Sequence, residues 1–527
     1  GPRRSDRAWA PSGPALRAIA NEEQHEYKHD TDAGNAAAEF HHEIVFASTP
    51  DAPTVAEALS GPDKQKWLTA LKSEVQSHID NKTLGPPLSQ IPAGFTAIPL
   101  DVITKVKRDG RRKMRAILKG YLMMMGMHFN QTFAPVPQIS TFRFFLVLSC
   151  LLDWEIWQGD YRTAFLGADM DTELYAKVPN WFRLDPDLKS GTGFTYHRVL
   201  KAIPGCPQGP RLFHKKSHDV YTKKMMLVQS KQEYTLYYDL ERKLFLLVWV
   251  DDTFLFFPTS STEAATALWK GLQKEFDLAD AEPISDCLGC VITRDRPNKR
   301  MFLTQNAAIE KLLVKSGLGL AEPADTPLVP GKPLSSADCP SEAERLVLAD
   351  ERKWYLSTVA SLIYFSHWTR PDMAHAVSKL CRFMHNPGKP HITALKRALR
   401  YLKGTANYGM LYDFSKSQST ANQGIYGLYD AAHADCPDTL KSTTAYTFFL
   451  AGGLISWFTK LHTYITTSTN HSEYCAAAKA SREAKWFSML ASSIGFAHLA
   501  SPVNLFSDSQ GAISMTHNPV HRSASKH

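Results

Sequence analysis

The sequence is poor in cysteine, has no apolar run of membrane length and carries no excess of acid. Eight cysteines in 527 residues are too few for a disulfide framework, which points to a reducing compartment. Cys287 and Cys290 form one Cys-x-x-Cys, but no second cysteine pair or histidine set lies nearby to complete a zinc site. The first twenty residues contain no apolar core of signal-peptide length. The strongest apolar stretch, residues 244–257, is too short to span a bilayer and carries two central acids that would be costly there. No membrane partner is expected. The net charge is +8, from 60 basic and 52 acidic residues, which suits a polyanionic partner without identifying one. At 44% hydrophobic and 21% charged, the composition is that of globular protein, with length enough for two to four domains. Residues 1–50 are polar, rich in Ala, Pro and His, and weakly periodic, and read as a linker or disordered tail. The chain begins with Gly1 rather than Met, as expected of a fragment or processed product.

Residues 244–257 read Leu-Phe-Leu-Leu-Val-Trp-Val-Asp-Asp-Thr-Phe-Leu-Phe-Phe. Two strand-length runs, rich in β-branched and aromatic residues, flank Asp251 and Asp252. The simplest geometry is a β-hairpin with both acids at its tip. One reading is a solvated turn, where Asp is common. The other is a cation site, because unpaired carboxylates against so apolar a hairpin would be expensive. Another acid bears on the choice. Residues 146–157 are mostly apolar and run into Gln158-Gly159-Asp160-Tyr161-Arg162-Thr163-Ala164-Phe165, so Asp160 lies where a strand ends and a helix-like segment starts. A strand-end Asp brought beside a hairpin-tip pair can hold two divalent ions about 4 Å apart, the arrangement used in nucleotidyl transfer.

Several motifs then fall in one order. Val250-Asp251-Asp252 is similar to a Tyr-Val-Asp-Asp box, residues 160–166 to Asp-Val-Lys-Thr-Ala-Phe-Leu, and residues 130–141 to a Glu-Thr-Phe-Ala-Pro-Val box. Together they resemble the Pol polyprotein of copia-type LTR retrotransposons, in its reverse transcriptase–RNase H region, from residue 56 to the last. The resemblance implies an α+β right-hand polymerase (fingers, palm, thumb), followed by a connection and an RNase H-like α/β domain. It places fingers and palm in 51–285, thumb and connection in 286–415, and a C-terminally incomplete RNase H-like domain in 416–527. It implies Asp160, Asp251 and Asp252 as catalytic metal ligands, with Mg2+ or Mn2+ as the ion. Lys113, Arg115, Phe165 and Gln208 would bind the nucleotide, Arg115 at the triphosphate and Phe165 under the sugar. RNA template, DNA primer, RNA–DNA hybrid and dNTPs are the partners implied. The setting would be a retrotransposon particle in the cytoplasm, or the nucleus. The oligomeric state is not set by the sequence. The family has Phe-Leu-Gly-Ile at residues 287–290, so packing accounts better for the cysteines than zinc does.

Other stretches add expectations. Gly61-Pro62-Asp63 opens a helix whose buried face is Trp67, Leu68, Leu71, Val75 and Ile79, ending at Asn81. Residues 102–107 and 112–118 read as strands joined at Asp109-Gly110. This hairpin is basic, through Lys105, Lys107, Arg108, Arg111, Arg112, Lys113, Arg115 and Lys119; it is either a solvated ribbon or, by resemblance, the fingers. Pro207-Gln208-Gly209 precedes a helical segment, 212–226. Residues 330–349 read as a loop and 355–405 as helical, where Lys396, Arg397, Arg400 and Lys403 make a basic face that either is solvated or tracks phosphates. Further on, Asp430 ends one strand, Glu473 opens an Ala-rich helix and Asp508 ends another strand. Such acids suit a two-metal nuclease site, and by resemblance they are the RNase H ligands. The chain stops at Lys526-His527, before the family's fourth acid.

Ala432 stands in place of an acid in the first box of the C-terminal domain; elsewhere Asp101, Met123–Met125, Gln131 and Trp249 depart from the family pattern, Trp249 as a bulky change beside the primer end, while the carboxylates are intact. These departures keep open a decayed or domesticated copy that binds nucleic acid without polymerising, or a structural subunit of a particle.

Overall fold

A computed structural model describes residues 53–106, 110–182, 193–415, 424–500 and 502–517. The expected tail, Lys107, Arg108, Asp109 and the chain end after residue 517 lie outside the described residues. By internal contacts the chain divides into two units, one of Gly1–Leu71 with Ile103–Met114, the other of Lys72–Val102 with Arg115–His527. In the first, Thr54 caps the helix Val55–Ser60 through a capping box with Glu57. Arg112 pairs with Asp63 and lies over the Trp67 ring at 5.7 Å.

The opening helix spans Lys64–Asp80, with Trp67 and Leu71 buried as expected. Ile79 is instead exposed and His78 is buried in its place, where its Nδ1 meets Thr83 Oγ1 at 2.7 Å. Six strands follow: β1 (Leu84–Leu88), β2 (Ala97–Val106), β3 (Arg112–Leu118), β4 (Glu155–Asp160), β5 (Tyr175–Pro179) and β6 (Phe194–Val199). All but β4 form one sheet, ordered β1-β6-β5-β2-β3. Strand β4 joins β7 (Val228–Gln229), β8 (Leu236–Asp239), β9 (Leu244–Trp249), β10 (Asp252–Phe257) and β11 (Glu282–Pro283) in the order β11-β4-β10-β9-β8-β7.

That second sheet explains why residues 244–257 show no polar alternation. Successive side chains of a strand point to opposite faces, and both faces here are buried. Phe245, Leu247, Trp249, Phe254 and Phe256 enter one core; Leu244, Leu246, Val248, Leu255 and Phe257 enter another. The first core also takes Phe142, Phe144–Leu148 and Cys150 from the helix Ile139–Leu151. The apolar stretch before Asp160 is therefore a buried helix followed by a six-residue strand, rather than one long strand.

The helix Gly209–Asp219 continues into a π-helical turn, Val220–Lys224. Strands β12 (Asp286–Cys287), β13 (Cys290–Asp295), β14 (Arg300–Thr304) and β15 (Met410–Asp413) form a third sheet in that order. Cys287 pairs with Cys290 across a turn in which Leu288 and Gly289 both have positive φ; both thiols are free and buried, as the packing account expects. The expected loop 330–349 contains a helix, Glu342–Val347, started by the Ser341–Glu344 capping box. Helices Ala349–Trp368, Ala374–Cys381 and Lys389–Gly404 then pack around Tyr355, Val359, Leu395 and Leu399.

The basic face of the last helix is largely occupied. Arg400 donates to the carbonyls of Glu322 and Pro323, Lys403 to that of Ala321, and Arg397 to Thr326 Oγ1. These side chains strap down residues 321–326, and Lys396 alone of the four is exposed. Three of the four basic side chains are thus engaged with residues 321–326.

The last sheet contains β16 (Ile425–Ala432), β17 (Thr443–Leu450), β18 (Gly453–Leu461) and β19 (Asn504–Phe506), ordered β18-β17-β16-β19, with β16 and β19 parallel. The helix Thr469–Ser493 buries Ala476, Ala480, Phe487 and Leu490 in the same core as the Ile139–Leu151 helix. Arg143 spans that core. It is 4% exposed, its guanidinium lies 3.8 Å from the Trp457 ring, and it donates to the carbonyls of Ile455, His367 and Trp368. Among the described residues no helix is long and apolar enough to cross a membrane.

Arg143→Ala would leave three carbonyls unsatisfied beside a cavity, and is expected to cost about 3–5 kcal/mol. Chemical denaturation followed by tryptophan fluorescence measures the loss, and a change under about 1 kcal/mol would contradict the structural role given to Arg143.

Candidate functional site

Register places the first acids. Strand β10 pairs antiparallel with both β4 and β9, so that Asp252 sits directly opposite Asp160 on one side and Trp249 on the other. Val250 and Asp251 form the connecting turn, and the Tyr161 N–H donates to the Asp251 carbonyl at 2.8 Å. Val250 has φ +57°. A β-branched residue with positive φ is a genuine outlier, and such strain persists where surrounding structure imposes it. Gly159, beside Asp160, has a physical reason too. A Cβ there would lie 2.5 Å from the Trp269 ring, which crosses the strand to donate to the Ala279 carbonyl.

Like charges opposite one another in a sheet repel. Asp160 is exposed, while Asp251 and Asp252 are half-buried. Burial, then the charges of Asp251, Asp160 and Asp286, push the Asp252 carboxyl well above the usual range. Asp286 is a member of this set that sequence reading missed. It lies on β12 beside the buried cysteine pair, and the Gln158 side-chain oxygen accepts from the N–H groups of Ser285 and Asp286 at 3.0 and 3.4 Å. No local signal marks it, because only the fold back onto β4 brings it near.

The expected nucleotide-binding residues are placed differently from one another. Lys113 and Arg115 are half-buried on β3, two residues apart. Phe165 is half-buried in the short 3-10 turn Phe165–Gly167, with its ring 6.4 Å from Phe213. Gly209 lies beside it, where a Cβ would make an ordinary contact with the Phe165 ring at 3.6 Å. Gln208 is fully buried and does not face an open site. Its amide donates to the His128 carbonyl at 3.2 Å, and so ties down the loop that ends β3. Trp249 is also turned inward, 7% exposed and 5.5 Å from Trp368, so its bulk is absorbed by the core.

The C-terminal acids converge. Asp430, Glu473 and Asp508 have ligand atoms all within 4.8 Å of one another, the one such group of three among the described residues. Their positions within elements differ from the expectation. Asp430 stands two residues before the end of β16, and Asp508 two residues beyond β19. Glu473 is the fifth residue of its helix, because Ser468 accepts from the His471 N–H and starts the helix at Thr469. Glu473 is 4% exposed; its Oε1 accepts from the Ala431 N–H at 3.3 Å, and its Oε2 has no donor. Burial, added to by Asp430 and Asp508 and opposed by the Ala431 N–H, pushes its carboxyl up to about 7. A buried carboxylate oxygen without a donor, between two other carboxylates, fits a cation. The all-oxygen donor set suits a hard ion such as Mg2+ or Mn2+.

Comparison with known proteins bears on this geometry. Residues 87–330 match the family model described as reverse transcriptase (RNA-dependent DNA polymerase). The chain is 31% identical over 493 residues to the retrovirus-related Pol polyprotein from transposon TNT 1-94 of Nicotiana tabacum, covering 92% of this chain and 36% of that protein. It is also 31% identical to the Pol polyprotein from transposon RE1 of Arabidopsis thaliana, over 92% of this chain and 32% of that one. The chain thus spans about a third of the length of these relatives. Among solved structures it is similar to a foamy viral protease-reverse transcriptase in complex with double-stranded DNA, at 13% identity and TM-score 0.44, over 86% of this chain and 65% of that one. Residues 87–330 thus carry a reverse transcriptase domain, and the chain is similar over most of its length to the retrovirus-related Pol polyproteins of copia-type transposons.

Proposed function

We propose that the chain is an RNA-directed DNA polymerase working by two-metal nucleotidyl transfer, with an RNase H-like site in its C-terminal part. The observation that carries the reading is the register that opposes Asp160 to Asp252 beside the Asp251 turn. Carboxylates crowded in this way are stable where cations share the site. Asp160 and Asp251 would hold both ions, with Asp252 assisting. When bound, Mg2+ or Mn2+ would activate the primer hydroxyl and neutralise charge on the triphosphate.

The chain's own contribution is positioning and electrostatics. The positive-φ turn at Val250 sets Asp251 beside the ends of β4 and β10. Arg115 is assigned to the triphosphate and Phe165 to the sugar. Gln208 acts from inside, by fixing the loop behind Phe165 and Gly209. The substrates would be dNTPs on a DNA primer paired to an RNA template, in a retrotransposon particle in the cytoplasm or in the nucleus. On this reading 51–285 are fingers and palm, 286–415 thumb and connection, and 416–527 the RNase H-like domain. There Asp430, Glu473 and Asp508 would hold ions for hydrolysis of the RNA strand of a hybrid.

Asp251→Asn removes a ligand charge and no expected contact to nucleic acid. Primer extension should fall below about a tenth of wild type, a barrier change of about 1.4 kcal/mol or more, with hybrid binding by fluorescence anisotropy unchanged. Extension above that level would show that Asp251 is not a metal ligand.

The raised Glu473 carboxyl gives a second prediction. Between the ordinary glutamate value and about 7, the folded protein holds a proton that the unfolded chain has lost. Metal-free stability therefore falls as pH rises through that window. Glu473→Gln should raise the melting temperature at about pH 8.5 and leave it nearly unchanged at about pH 4. Added Mn2+ should stabilise the wild type at the higher pH more than the variant. Parallel melting curves for the two proteins at every pH would contradict the assignment.

A further inference from the structure

We propose that the cleft lined by Leu148, Lys299 and Leu499 binds a small organic acid, with one aromatic ring or a short branched chain on the floor and the carboxylate at the mouth. None of its lining residues belongs to either acid cluster, and the inference does not rest on the polymerase reading. Three parts of the chain build it. Leu148 and Leu151 come from the helix Ile139–Leu151, Phe414 follows β15, and Phe496 and Leu499 lie just beyond the helix Thr469–Ser493. Leu148, Phe414 and Leu499 are buried in the core shared by these parts, and the half-buried Leu151 and Phe496 pack against it. The cleft measures about 160 Å³. A cavity of about 150 Å³ lined by Leu, Ile and Phe admits benzene, so this floor accommodates one ring and little more.

The mouth is cationic. Lys299 lies in the turn between β13 and β14, where its carbonyl accepts from the Phe414 N–H at 3.0 Å and from the Cys150 thiol at 3.4 Å. Its ammonium group makes no ion pair among the described residues, because the acids that share its surroundings, Asp153 and Asp413, are already taken. Asp153 pairs with Arg296 at 2.7 Å, and Asp413 with Arg300 at 2.8 Å. His498 adds an exposed imidazole to the lining, its ring 6.1 Å from that of Phe496.

An apolar floor under a cationic mouth selects an anion with an apolar body. An organic cation would be repelled by Lys299. A nucleobase would bury its edge donors and acceptors against Leu and Phe, at a cost that no partner there offsets. A carboxylate on a ring meets both halves of the cleft, in the usual manner of an apolar site with a few polar groups that fix orientation. The ion pair at so open a mouth is worth about two- to fivefold in affinity, and the floor supplies the rest.

The test is fluorine NMR of para-fluorophenylacetate titrated with the 527-residue chain. Saturable line broadening is expected, with a dissociation constant on the order of 1 mM. Lys299→Met, which keeps the aliphatic stem, should weaken binding about two- to fivefold. The corresponding alcohol, with the same ring and no charge, should bind the wild type more weakly by a similar factor. Leu152→Glu puts a like charge on a lining residue that is 46% exposed, and should weaken the acid while leaving the alcohol nearly unchanged. Both substitutions fall on exposed side chains, and melting curves that match the wild type establish that the variants fold. An alcohol that binds as tightly as the acid would overturn the assignment to an anion. No saturation up to about 20 mM, or binding unmoved by both substitutions, would overturn the site itself.

Discussion

Mutual repulsion among carboxylates is the constraint on which the rest of this structure turns. Asp160 and Asp252 are opposed by register, Asp251 is held at a strained turn, and Asp286 closes in from the next hairpin. Left to local preferences these groups would separate. They stay together because the strands that carry them are buried on both faces, with Phe245, Trp249 and Phe256 in one core and Leu246, Leu255 and Phe257 in the other. Full burial of each such side chain is worth about 1.5–3 kcal/mol. The sum outweighs local repulsion and holds the acids together.

The same core reaches the C-terminal acids. Residues of the Ile139–Leu151 helix, the palm-like sheet and the helix Thr469–Ser493 belong to one continuous hydrophobic cluster. Arg143 crosses it as a buried cation with carbonyls and an indole ring for company.

Much of the first cluster was legible in the sequence. Asp251-Asp252 between two apolar runs, and Asp160 at the end of another, announce themselves because an ionised pair is anomalous in such surroundings. Asp286 was illegible, since its neighbours come from the antiparallel return of a later hairpin rather than from its own segment. The burial of Gln208 was illegible for a related reason, since the His128 carbonyl it donates to lies eighty residues upstream. The partners of the basic helix face were illegible in the same way. Periodicity found Arg397, Arg400 and Lys403 on one side, but the Thr326 hydroxyl and the backbone carbonyls that accept from them lie more than seventy residues upstream. Glu473 was found by type and displaced by four residues, because the Ser468 cap starts the helix earlier than its Ala-rich pattern suggests. Val250 gave no signal at all, for backbone strain is a property of the turn and leaves no mark in composition.

The most direct test of the central claim is primer extension by the 527-residue chain on an RNA template, with dNTPs and Mg2+ or Mn2+. The account predicts templated extension that depends on the divalent ion, disappears with chelator and disappears equally in Asp160→Asn. A chain that binds the hybrid yet adds no nucleotide with either ion would contradict it.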